Sequence, residues 1–486
     1  MSSNYNHRYI ARICIETETP LKVGTGRAGL LTDEMVATDA FGFPFIPGTA
    51  LTGVLRNSLS NRKWLEDIFG HNEKRKYEDG KEYSGEGSRL IVSSASMVGE
   101  DGKVIEAPVK YTPNNSFYPR FEKLPARDHV KITHLGASDD SSMSKFDKQV
   151  VYRGTRFVFE LELIGNEENK GNWDTLLNTL ASHTFRLGGG TRRGFGKLKI
   201  ISELSTQKVF NLTETADLKS YLSRGASLNS ILEREELKTL EMTSPFTHYQ
   251  LQLTPEDYFI FGSGHPKGDI DSVAKTEPII SWENGKAKFT EDQILIPASS
   301  VKGAIAHRVA FHYNRLQKVY ADELNDKEKS FNDVTGQNNE AVKTLFGHPT
   351  NEKDNEEHRG RVILSDLYLE KTAEKLLNHV AIDRFTGGAM DGALFNEKVV
   401  QAMPLKLNGT TEALSQDTPT DYIELNLYVE PFLHEEEEKI VKALECTLQD
   451  ICTGMLPLGA SVMRGHGCFK GNWKIIETKQ EVDKNE

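Results

Sequence analysis

Two loops of the chain carry the same glycines and acids. Gly24, Gly26, Asp33 and Asp39 align without a gap with Gly262, Gly264, Asp271 and Glu277. A loop carboxylate ordinarily shapes a turn. One kept at the same place in two copies is a candidate to orient a divalent ion or take up a proton. Glu34 and Asp269 stand beside the two aspartates, and Asp39 and Glu277 follow them, so all four could assist. The second chemical feature is "GGGTRRGFGK" at 188–197. Its glycines could turn backbone N–H groups toward an anion, or simply form a tight corner with positive φ. Arg192, Arg193 and Lys197 add charge, and Phe195 offers a ring to stack on a base. The run lacks GxxxxGK[ST] and enters a strand rather than a helix, which excludes a Walker loop, a dinucleotide fingerprint and a nucleotide cofactor. Cys14, Cys446, Cys452 and Cys468 form no zinc pattern.

The elements that must hold these loops are also written twice. "IPGTALTGVLR" (46–56) matches "IPASSVKGAIA" (296–306), and "RLIVSSASM" (89–97) matches "RVILSDLYL" (361–369). "HVKITHLGAS…KFDKQVV" (129–151) matches "HVAIDRFTGGA…LFNEKVV" (379–400), and "LGGGTRRGFGKL" (187–198) matches "LGASVMRGHGCF" (458–469). Each copy reads as β-α-β-β-α-β, so the expected fold is α+β, two tandem ferredoxin-like (RRM-like) domains. "RYIARICIETETPLKVG" alternates as a half-buried strand does, and Thr49 is placed to cap the helix that follows it. The segments 99–150 and 370–406 fall outside the six elements and read as insertions, partly projecting hairpins. Polar loops interrupt both copies near 71–88 and 320–360. The expected domains are 1–205 and 247–478, joined by a helical linker over 206–246 and followed by an acidic tail at 479–486.

Bulk properties fit this picture. The 486 residues are 37% hydrophobic and 27% charged, with a net charge of −12. That balance argues against a surface coated in polyanion, yet "RLGGGTRRGFGKLK" (186–199) holds five basic residues and no acid. No apolar run approaches the roughly 20 residues of a membrane span, and the N-terminus lacks the apolar core of a secretory signal. A cytoplasmic protein without membrane contact is expected.

The glycine loop, the "GTG…D…IPGTALTGVLR" segment and "AIDRFTGGAMDGALF" (381–395), in that order, resemble the RAMP superfamily of CRISPR systems. They are most similar to backbone subunits of type III effector complexes, here two domains fused as in the III-D and III-E branch. The resemblance implies a subunit that holds guide RNA by its backbone and drives hairpin thumbs into the guide–target duplex. It also implies partners: guide RNA, complementary target RNA and further effector subunits. In cleaving members an acid between the first strand and the "IPG" helix cuts the target, which marks Asp33 and Asp271, with Mg2+ as the expected transient ion. Guide contacts fall on Gly189, Gly190, Arg192, Arg193, Gly194, Phe195, Gly196 and Lys197. In the second copy they fall on Arg464, Gly465, His466 and Gly467. The helix start of the family often reads S-x-K-G-x-x-R. This chain keeps Arg56 but has Thr52 in one copy, and keeps Lys302 but has Ala306 in the other, so His307 or Arg308 is expected to compensate. The thumbs take in His134, Met143, Phe146, Arg384, Phe385 and Phe395.

Two rivals compete with target cutting. A guide-processing endonuclease would use a histidine, and His134, His183, His307 and His466 are available; a tandem acid with no tandem histidine speaks against it. A non-catalytic scaffold would bind guide RNA and not need either aspartate.

Overall fold

The computed structural model describes residues 5–26, 33–59, 62–71, 75–76, 82–83, 85–112, 114–130, 132–133, 145–230, 235–237, 244–324, 334–348, 358–369, 373–401, 422–432 and 437–476. In the first repeat β1 (His7–Thr17) is followed by α1 (Gly48–Ser58), β2 (Leu90–Val92), β3 (Ala126–Val130) and β4 (Lys145–Gln149). Then come β5 (Arg156–Gly165), α2 (Lys170–Ala181), β6 (Leu198–Ile200) and β7 (Thr206–Asn211). β1 is the central strand: it pairs antiparallel with β5 through Ile13↔Phe159, and with β6 through Ile15↔Ile200. β2 pairs with the far edge of β5 through Leu90↔Leu163. The order β2-β5-β1-β6 is the four-stranded ferredoxin-like sheet. Leu51 and Leu55 of α1 and Trp173, Leu176 and Leu180 of α2 bury one helix face each against Ile13, Phe157 and Phe159, the stripe expected of a surface helix.

The second repeat rebuilds this sheet. β8 (Thr247–Pro255) is central, and β9 (Thr276–Glu283) and β10 (Lys286–Ile296) lead into α3 (Ala298–Leu316). β11 (Val362–Leu364), β12 (Ala373–Ile382), β13 (Ala389–Gln401), β14 (Ile423–Val429), α4 (Glu438–Cys452) and β15 (Phe469–Ile476) follow. The order is β11-β14-β8-β15. Ile440, Ala443, Leu444, Leu448 and Ile451 form the buried face of α4, as their spacing requires.

Three expectations change. Residues 206–211 do not belong to a helical linker: β7 joins the first sheet against β1, with His7↔Asn211 and Arg12↔Thr206 in register. Only Thr215–Leu222 of the linker is α-helical among the described residues. The linker then covers the outer face of the first sheet. Arg12 donates to Ser230 O at 2.7 Å, and Tyr221 and Arg224 bond Glu162, each at 2.7 Å. β1 is therefore buried on both faces, whereas β8 keeps the one-sided alternation. Finally, Thr49 does not cap α1, whose first amide, Gly48 N–H, donates to Ser94 Oγ at 3.3 Å.

The repeats are locked together. The antiparallel hairpin β9–β10 fills the longer stretch that precedes "IPAS" and reaches back onto the first repeat. Its Ile280 and Phe289 enter the first core, and Trp282 Nε1 donates to Gly154 O at 2.8 Å beneath Arg156. Arg127 of β3 is buried between Asp366, Glu277 and Tyr368 of the second repeat. Burial opposes charge on all of these groups, but Asp366 and Glu277 hold Arg127 firmly protonated, and Arg127 holds Glu277 below the usual carboxylate range. No described helix is long and apolar enough to cross a membrane.

Candidate functional site

Asp33 and Asp271 occupy the same local structure. Asp33 N–H donates to Asp147 Oδ1 at 2.9 Å, and Asp147 N–H donates back to Asp33 Oδ2 at 3.0 Å. Asp271 and Asn396 exchange the same pair of bonds, each 2.9 Å. Asp147 and Asn396 sit at matching positions on β4 and β13, the return strands of the inserted hairpins. Each exposed aspartate is thus pinned to the root of a hairpin, with its charge turned to solvent. The assistants fare differently. Asp39 Oδ1 accepts the Phe41 and Phe43 amides at 2.8 and 3.0 Å, which makes it a turn residue. Glu277 is consumed by Arg127 and by the Tyr368 hydroxyl at 2.8 Å. Glu34 contacts Lys22 and lies 2.8 Å from Lys148. Asp269 stays exposed, and its carbonyl accepts Asn396 Nδ2 at 3.0 Å.

The hairpins share a second device, and it corrects the expectation of no tandem histidine. His129 pairs with Phe146 across β3–β4, and His379 pairs with Phe395 across β12–β13. The rings stack at 5.0 Å and 4.8 Å, nearly parallel in both cases. The alignment of "HVKIT" with "HVAID" already paired these histidines. Burial, then Arg127, Arg193 and Lys148, push His129 down to about 4. It is neutral near pH 7 and cannot serve there as a general acid. Phe146 and Phe395 therefore lie at the hairpin roots. The second tip carries Phe385, 87% exposed, beneath the Arg384 guanidinium. Ile382, Met390 and Leu394 are also exposed on this hairpin. His134 and Met143 lie outside the described residues.

The glycine loops are corners first. Gly196 has φ 76°, and a Cβ there would lie 2.0 Å from Leu187 O; at Gly467 the figure is 2.1 Å from Leu458 O. Their amides face inward. Gly189 N–H donates to Lys22 O at 2.7 Å and Gly196 N–H to Pro20 O at 2.9 Å. In the second repeat Ala460 N–H reaches Ile260 O at 2.7 Å and Gly467 N–H reaches Tyr258 O at 2.8 Å. Ser461 takes the left-handed conformation of Gly190, so the corner survives the loss of glycines.

Several guide-contact expectations therefore fail on burial or pairing. Phe195 is 0% exposed and cannot stack on a base. Arg192 is spent on Gly360 O and Glu430 across the junction, at 2.8 and 2.7 Å. Gly194 packs against Asp366 and Ala298 of the second repeat. Lys197 pairs with Glu18 at 2.9 Å, and Arg308 pairs with Asp450. His466 is buried on Glu397 at 3.0 Å. Gly190 is half-buried, and Lys302 Nζ donates to Phe346 O at 3.3 Å, its ammonium lowered to about 8 by burial and then by Arg193 and Arg192. Arg56, Gly189, Arg193, Arg464 and Gly465 remain exposed.

The geometry defines a duplicated ferredoxin-like protein whose two loop acids sit at the roots of inserted hairpins. The chain belongs to the RAMP superfamily, whose family profile matches residues 14–199 and 259–470. Membership places it among CRISPR-associated RNA-binding proteins. No curated protein matches the chain.

Proposed function

We propose that the chain is a backbone subunit of a type III CRISPR effector complex. It holds guide RNA by its phosphates, bends the guide–target duplex with its hairpins, and cuts complementary target RNA at Asp33 and Asp271. The observation that carries this reading is the repeated bond exchange, Asp33 with Asp147 and Asp271 with Asn396. An acid tied by two bonds to the hairpin root stays in register with any phosphate that the hairpin displaces from the helical stack. In-line geometry is the main demand of scission by a neighbouring 2′-OH. The 2′-oxygen bonds to phosphorus, the P–O5′ bond breaks, and the departing 5′-oxygen takes a proton from water, giving a 2′,3′-cyclic phosphate and a 5′-hydroxyl. Asp33 or Asp271 would receive the 2′-hydroxyl proton or orient the group that does.

Among the described residues no group of three acids, histidines or cysteines gathers as a metal cage. One exposed carboxylate per loop suits a hard cation that keeps most of its waters, such as Mg2+, held by Asp33 or Asp271. When bound, it would supply charge neutralisation at the phosphate.

The test is cleavage of a labelled, guide-complementary RNA by the assembled complex with magnesium. Asp33→Ala and Asp271→Ala should each remove one product band, and the products should carry cyclic phosphate ends. A full set of bands in both variants would take the cutting away from these acids and leave the chain as an RNA-holding subunit.

A further inference from the structure

The two hairpin roots share a strand register and differ in charge: the first gathers cations, while in the second Glu397 lies 3.6 Å from Arg464. Gly189 bonds Lys22 O where Ala460 bonds Ile260 O. The strand register that equates His129 with His379 and Phe146 with Phe395 equates Lys148 with Glu397. Arg193 and Arg464 are equivalent too, their guanidinium carbons 5.2 Å from the Phe146 ring and 4.4 Å from the Phe395 ring. The first repeat thus gathers Lys22, Lys148 and Arg193, and the second holds Ile260, Glu397 and Arg464.

Around Glu397 the charges are settled. His379 Nε2 lies 2.8 Å and His466 Nε2 3.0 Å from Oε1, and Ser461 Oγ lies 3.0 Å from Oε2. Around the lysines they are not. Lys22 and Lys148 meet on the same Glu34 carboxylate, Lys148 and Arg193 each stand 5.2 Å from the Phe146 ring, and the three cations repel one another. Lys22 is 5% exposed under the glycine loop, and a Cβ on Gly189 would stand 3.7 Å from its Nζ. Burial, then Lys148 and Arg193, lower Lys22 to about 8. The acid touching both lysines among the described residues is Glu34, whose side chain is 46% exposed at the loop edge. One half-exposed carboxylate serves two lysines, with Arg193 beside them. Asp33, its neighbour, has one oxygen committed to the Asp147 amide.

We propose that Lys22, Lys148 and Arg193 form a seat for one RNA phosphate beside Asp33, and that the second repeat has no such seat. The proposal deepens the RNA-binding reading above and rests on it. A backbone phosphate carries one negative charge on two non-bridging oxygens, whose lone pairs can accept from all three donors, and it displaces Glu34 toward solvent. At the second root the Glu397 carboxylate would repel the same group. The two cutting positions are therefore unequal: the phosphate is gripped at one and only approached at the other.

The test uses the full-length chain and a fluorescently labelled single-stranded RNA, with affinity measured by polarisation over a series of salt concentrations. Lys22→Met, Lys148→Met and Arg193→Met should each weaken binding about tenfold and flatten the slope of log K against log salt by about 0.7, the loss of one phosphate contact on a single strand. Lys148→Arg should keep the slope, and Lys170→Met, on an exposed helix, should change nothing. Weaker binding with an unchanged slope in all three variants would mark a structural role and overturn the seat, as would unchanged binding. A wild-type chain that binds no RNA would instead overturn the RNA-binding reading.

Discussion

At the scale of single residues, the same amino acid does different work according to what its neighbours leave open. Gly196 and Gly189 lie in one loop, yet only Gly196 combines positive φ with a carbonyl 2.0 Å from where a Cβ would be. Gly196→Ala should cost about 3 kcal/mol or more, and Gly189→Ala less than about 1 kcal/mol; urea unfolding of the two variants checks this. His129 shows the same dependence on setting. Its native pKa is depressed to about 4, so the unfolded chain takes up the proton first as pH falls. The unfolded state then binds more protons than the native one, and stability drops as pH falls from about 6.5 to about 4. His129→Gln should flatten that part of the curve. Some of this was visible in the sequence. Asp33 and Asp271 could be paired by counting. That Asp39 caps a turn while Glu277 joins a buried ion pair could not, because a carboxylate at that spacing is compatible with either.

At the scale of elements, the sheets and helices were legible because their patterns are local. The buried face of α4 follows from 3.6-residue spacing, and the strand order follows from the duplicated β-α-β-β-α-β pattern. What failed was everything decided by a distant neighbour. The second face of β1 is covered by a linker more than 200 residues along the chain, and the stretch before "IPAS" is an arm for the other repeat. Neither partner is marked by periodicity. Trp282 anchors that arm with one indole bond and one stacked guanidinium. Trp282→Ala should cost about 2–3 kcal/mol and expose the arm to protease; equal digestion rates in variant and wild type would mean the arm is not a clamp. The hairpin tip should behave in the opposite way. Phe385→Ser should change unfolding free energy by less than about 0.5 kcal/mol, because the ring is already 87% exposed. In the assembled complex it should weaken target-duplex binding, measured by filter retention.

At the scale of the whole molecule, duplication gives one chain two candidate sites, and the junction gives them a fixed spacing. The basic loop read as an RNA surface is largely used up at that junction, where Arg192 meets Glu430 and Arg127 meets Asp366 and Glu277. A net charge of −12 is compatible with RNA binding because it is a sum, and Lys22, Lys148 and Arg193 gather at one hairpin root. Arg127→Met would leave two buried carboxylates without their cation, so it should cost about 3–5 kcal/mol and free the repeats to move. Small-angle scattering would register the loosening. The most direct measurement of the central claim takes target affinity and target cleavage together for the Asp33→Ala, Asp271→Ala double variant in its assembled complex. The account predicts full affinity with both cuts abolished. Cuts that persist at both positions would contradict it, and the paired acids would then be the rivets of two hairpins and nothing more.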